Sequence, residues 1–179
     1  MAIGLTAGLL GALTMNLFAR VVRRRNGGRE AEGAAPGINR DGRGAQPPQA
    51  IARADDDAAV RVGRTAYRTV TGVEPSLAIK PWLGSAAHYA FGGSLGIYYV
   101  LAADRAPLLR AGYGTLFGSL VWAIADEGVM PALGLSRGPR QLSSAVHAYA
   151  VAAHWVYGAT LEAIRQCALR TFSSLWRSK

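Results

Sequence analysis

Carboxylates and imidazoles stand inside long apolar runs of this chain, and that placement constrains it more than any other feature. Between Leu108 and Glu162 one apolar run ends in Asp126 and Glu127, Pro131 and Gly134 interrupt it, and a second run carries His147, His154 and Glu162. On a soluble fold such groups belong at the surface. In a membrane bundle they are costly, turn away from lipid and mark a functional interior. The pattern predicts an all-α, polytopic membrane protein of about four transmembrane helices, with a polar linker and an amphipathic helix besides.

Composition agrees. Half of the 179 residues are hydrophobic and 17% are charged, against roughly 25% in soluble domains. Residues 20–80 hold most of the arginines and acids, so the remainder is more apolar than the average. A net charge of +9 suits nucleic acid, but the arginines flank apolar runs, where the excess of cytoplasmic Lys and Arg already accounts for them. No nucleic-acid partner is expected. The single cysteine, Cys167, excludes an internal disulfide and any CxxC motif.

Ile3 to Ala19 is apolar, with the cluster Arg20, Arg23, Arg24, Arg25 after it and no base before it. A signal peptide carries its charge on the other side, so residues 1–22 read as a retained first span. Gly4, Gly8 and Gly11 or Ala12 recur at helical spacing and leave a strip for close helix packing; Asn16 is placed to bond between helices. Residues 23–54, rich in Gly, Pro and Arg, read as a disordered basic linker. In residues 55–80, Val60, Gly63, Tyr67 and Val70 share one helical face and Arg61, Arg64 and Arg68 another. Such a helix rests on the bundle, on anionic lipid headgroups, or on both.

Residues 81–179 hold a three-helix membrane core and a basic tail with Arg170, Trp176, Arg177 and Lys179. Trp82 to Ala103 carries Ser85, His88, Gly92, Gly96 and Tyr99 on one small, polar face that should point inward. Within it Gly92-Gly93-Ser94-Leu95-Gly96 matches the G-x-S-x-G nucleophile elbow, but that motif needs a strand-turn-helix setting. The glycines are better read as packing positions. Leu108 to Val129 has Gly114, Gly118 and Trp122 one turn apart with Asp126 next; Pro131 and Gly134 should end it, flanked by Arg137 and Arg140. Leu142 to Leu169 places His147 and His154 seven positions apart, on one face with Gly158 and Glu162.

The chain resembles a known family in a short glycine-rich first span, His88-Tyr89, Gly96-x-Tyr98, Gly114-x-x-x-Gly118, Pro131-x-x-Gly134-Leu135, and His154-Trp155 leading to Glu162-Ala163-Ile164-Arg165. It looks like the YagU-like bacterial inner-membrane proteins, small four-span proteins without an assigned reaction and linked to acid resistance. The resemblance covers the first span and residue 57 onward. It implies an inner-membrane protein in acid or pH stress, with His88, Pro131, Gly134, His154 and Glu162 at family positions. Histidines titrate near 6.5 when unperturbed, which suits such a role.

The leading expectation is a non-enzymatic protein, without cofactor, that handles protons or ions through His88, His154 and Glu162, with Asp126, Glu127 and His147 as further candidates. One alternative is a metal-binding protein or enzyme holding a divalent ion on His88, His147, His154 and Glu127 or Glu162. Another is a scaffold or assembly factor, whose interior only locks helices together. Glycine strips at Gly4, Gly8, Gly92, Gly96, Gly114 and Gly118 make a homo-oligomer plausible. The dense arginines after the first span place that loop in the cytoplasm, which with four spans leaves the basic tail outside, against the same charge rule.

Overall fold

The computed structural model describes residues 1–33, 58–136 and 138–177. It is all-α, as the apolar periodicity implies, with no strand among the described residues. Helix α1 spans Ala2–Gly33, α2 Ala58–Thr71, α3 Lys80–Ala102, α4 Thr115–Val121, α5 Met130–Ala132 and α6 Ser144–Arg177. Short 3-10 turns at Pro107–Arg110 and Pro139–Gln141 lead into α4 and α6, and a π-helical segment, Trp122–Val129, joins α4 to α5.

The first boundary differs from expectation. Helix α1 continues through Gly33, so residues 23–33 belong to it, because extending an established helix adds a hydrogen bond for each residue fixed. Residues 34–54 of the expected linker, residues 55–57 of the expected amphipathic stretch, Arg137, and residues 178 and 179 of the tail lie outside the described residues. Helix α2 fills only residues 58–71 of the expected amphipathic stretch; Gly72, at φ 72°, turns the chain out of it.

Glycine decides how the helices meet. A methyl group on Gly4 would lie 2.6 Å from the Ile97 Cα, and one on Gly8 would strike the Gly92 carbonyl, so α1 and α3 touch backbone to backbone. The order of these contacts, closing with the Asn16 amide donating to the Tyr89 hydroxyl at 3.2 Å, makes the pair antiparallel. Glycines 118 and 158 do the same for α4 against α6, each facing the other helix's backbone at the His154 and Gly114 carbonyls. Tyr157 enters between α1 and α3, its ring over Gly11 and its hydroxyl donating to the Gly92 carbonyl at 2.6 Å. Ala7, Tyr99, Ala103, Phe117, Val121, Tyr157 and Leu161 complete the core.

The third apolar run is not one helix. Gly112, Tyr113 and Gly114 all sit in the left-handed region, at φ 60°, 58° and 85°, and turn the chain sharply before α4 begins. After Val121 the hydrogen bonding lengthens, so that the Met130 amide reaches the Ala125 carbonyl five residues back. The helical run stops at Ala132, one residue past Pro131, as the sequence implies. Gly134, at φ 70°, makes the turn out.

One described helix, over Ala2–Arg25, is long and apolar enough to cross a membrane by length and composition. The second run is diluted by glycine, tyrosine and His88, and the third is cut into short pieces.

Candidate functional site

One face of α6 gathers the polar interior. His147, His154, Gly158 and Glu162 all look toward α4 and the π segment. The wide π turn matters here. Successive side chains of an α-helix diverge by about 100°, yet Asp126 and Glu127 both reach α6 from the wider turn, Asp126 toward His154 and Glu127 toward His147.

His147 lies between two acceptors. Its Nδ1 is 2.7 Å from Glu127 Oε1 and its Nε2 is 3.0 Å from the Pro139 carbonyl oxygen. With Glu127 ionised, both bonds form together only when both ring nitrogens carry protons. The Trp122 ring meets the imidazole edge-on, at 6.2 Å between centroids.

His154 is buried and held differently. Its Nδ1 faces the Ala150 carbonyl at 2.8 Å, which fixes a proton on that nitrogen. Nε2 then points to Asp126 Oδ2 at 3.7 Å, close enough for charge attraction and too far for a direct hydrogen bond. This nitrogen can take up a proton beside a carboxylate. It is the chemically available position of the pair.

Two turns further on, Glu162 is 2% exposed and saturated. Arg165 grips it with a fork, Nε to Oε2 and an Nη to Oε1, both at 2.9 Å. Gln166 donates to Oε1 at 2.9 Å and the Tyr99 hydroxyl to Oε2 at 2.7 Å. Arg165, 5% exposed, spends its remaining nitrogen on Asp104 at 2.9 Å. Such charge-assisted, bidentate bonds fix geometry strongly.

Sequence reasoning singled out Glu162 without its partners. Arg165 reads there as the start of a basic tail, and Asp104 as an interfacial charge. The signal was the spacing Glu162, Arg165, Gln166, since side chains three and four apart on a helix are neighbours. His88 is bonded to neither cluster: its Nε2 is buried without a hydrogen-bond partner among the described residues, as is Trp122 Nε1. The expected metal candidates are therefore distributed. His147 pairs with Glu127, His154 with Asp126, and Glu162 with Arg165, and no three His, Cys, Asp or Glu side chains among the described residues converge as a ligand set.

On the outer side of α2, Glu74 collects Arg64, Arg68 at 3.4 Å and Lys80 at 3.8 Å. The Arg64 hydrogen bond, with the surrounding positive charge, holds its carboxyl below the usual glutamate range. Of the expected apolar stripe, Val60 and Gly63 pack on Gly84 and Leu83 of α3, while Val70 is 85% exposed.

A family of proteins of unknown function, DUF1440, matches residues 38–163. The chain belongs to that family. The match takes in α2, α3, α4, the π segment, α5 and α6 as far as Ala163, and so contains His88, Asp126, Glu127, His147, His154 and Glu162 but not Arg165, Gln166, Gly4 or Gly8. Its limits differ from those of the resemblance read in the sequence: it includes the segment from residue 38 and leaves α1 outside. No curated protein and no solved structure matches the chain.

Proposed function

We propose that this chain is a multi-pass bacterial inner-membrane protein of the YagU-like type, acting in acid or pH stress by handling protons or ions in its polar interior. The observation that carries the reading is buried His154, anchored through Nδ1 and presenting Nε2 toward Asp126, a carboxylate exposed at the edge of a bundle that carries many apolar side chains on its outer surface. Leu5, Leu9, Leu13 and Leu17 of α1, Phe91 and Leu101 of α3, Leu120 and Ile124 before α5, and Leu169 of α6 are all exposed, while Glu162, Arg165 and His154 are buried. Large apolar side chains facing outward, with ionisable groups turned inward, is the distribution expected of helices in lipid. Basic residues of α2, Arg61, Arg64 and Arg68, supply contact with anionic headgroups.

In this reading His154 and Asp126 exchange the proton, His147 and Glu127 form the neighbouring charged pair, and Glu162 with Arg165 holds the far end closed. The test is proton flux into liposomes containing the purified protein, with His154→Gln and Asp126→Asn alongside. Flux that rises as the external pH falls and vanishes in both variants supports it. Folded protein with no flux above empty liposomes sinks conduction. A scaffold role then gains, favoured by the saturation of Glu162 and the backbone contact at every glycine strip.

A further inference from the structure

The geometry points to an anionic phospholipid bound in the slot between α3 and α4, with one acyl chain along the slot and its phosphate at Arg110; this rests on the membrane reading above. The slot is lined by Phe91 and Leu95 of α3, Phe117 and Leu120 of α4, Ile124 of the π segment, and Leu109 at its end. Its volume is about 200 Å³. From Phe91 to Tyr98 it runs about 10 Å along α3, so it is far narrower than a helix, itself about 10 Å across. A single hydrocarbon chain is the occupant of that cross-section. The lining offers almost nothing polar, and Ile124 is 62% exposed, so the slot opens sideways into whatever surrounds the bundle.

Charge selects the headgroup. Leu109 lines the slot, and the next residue, Arg110, is half-buried, its charge acting on nearby Tyr99 and its side chain in no ion pair or hydrogen bond among the described residues. Arg105, in the turn that follows α3, is exposed, and its side chain donates to the Leu101 carbonyl. The acids at this end, Asp104 and Glu162, are both engaged by Arg165. Arg110, adjacent in the chain to the lining residue Leu109, and Arg105, which follows α3, are thus the cations at that end of the slot, and positive charge beside an apolar slot favours an anionic lipid over a neutral one.

The experiment uses the full chain purified in detergent. Thermal unfolding is followed on adding phosphatidylglycerol, phosphatidylcholine or soluble glycerol phosphate, after the protein's partition into a detergent-rich phase has been measured. Phosphatidylglycerol should stabilise most and glycerol phosphate not at all. Arg110→Gln should weaken the phosphatidylglycerol affinity about tenfold, the loss of one charge-assisted contact, while Arg23→Gln at the opposite end leaves it unchanged. Ile124→Trp, which fills the slot, should abolish stabilisation by either lipid; should it fail to fold, the wild-type comparison and Arg110→Gln decide the matter. Equal stabilisation by both lipids, an unchanged Arg110→Gln, or full stabilisation by glycerol phosphate overturns the site. Partition into the aqueous phase instead overturns the membrane reading beneath it.

Discussion

Helix α6 carries two ionic clusters that differ in how completely they are bonded. At Glu162 the carboxylate receives four hydrogen bonds from Arg165, Gln166 and Tyr99, and Arg165 is itself finished by Asp104. At His147 and His154 each ring meets one carboxylate, and His154 meets it at 3.7 Å with a nitrogen to spare. A saturated cluster fixes a structure. His147 is likewise engaged at both ring nitrogens, so the room for a change of protonation lies at His154 Nε2.

The largest break in that contrast is expected at Glu162. Glu162→Gln leaves Arg165 buried against a neutral partner and should cost about 3–5 kcal/mol, the range for removing one member of a buried pair. The double variant Glu162→Gln, Arg165→Met should recover much of the loss. Unfolding in detergent measures both, and an additive pair of losses would mean that the two groups do not act as a unit. Next is Gly118→Ala: its Cβ would strike the His154 carbonyl, so α4 and α6 must separate, at about 1–3 kcal/mol. Because Asp126 continues the helix from Gly118, the same change should blunt any pH-dependent flux, and intact flux would detach that activity from the His154 and Asp126 pair.

His147→Gln should do less to stability and more to its pH profile. Its two bonds need both ring protons, so the difference from wild type should be greatest near pH 5 and shrink by pH 8; a difference independent of pH would mean a neutral ring. Smallest is Glu74→Gln. A carboxyl held below its ordinary value adds stability that is complete above the unfolded range, about 4.3, and is lost as pH falls through the folded value. The protection of α2 amides against exchange should therefore fall in the wild type as acid protonates that carboxyl, and be already lower, without that acid step, in Glu74→Gln.

The face of α6 was legible because periodicity is a property of sequence: His147, His154, Gly158 and Glu162 fall on one side by spacing alone. Glycine strips were legible for the same reason, and Gly4, Gly8, Gly92, Gly96, Gly114 and Gly118 all lie at close backbone contacts. The π segment was not. An added residue per turn leaves no compositional trace, and it is what lets both Asp126 and Glu127 face α6. Nor were the left-handed turn at Tyr113 and the continuation of α1 past Arg25, since each depends on what the neighbouring elements hold in place. Arg165 was misplaced because arginine beside an apolar run ordinarily means an interface, and only the fold shows it buried.

The lengths of α1 and α6 settle differently from those of their neighbours. With 32 and 34 residues they are about 48 and 51 Å long, well beyond a hydrocarbon layer about 30 Å thick. Antiparallel packing sends the surplus of α1, with Arg20, Arg23, Arg24 and Arg25, out of one end of the bundle, and that of α6, with Arg170, out of the other. In a bilayer these overhangs would act as two basic handles on opposite surfaces, which resists both tilting and slippage along the normal. Orientation would then rest on the unequal strength of the handles, and removing arginines from α1 alone should be enough to invert the molecule.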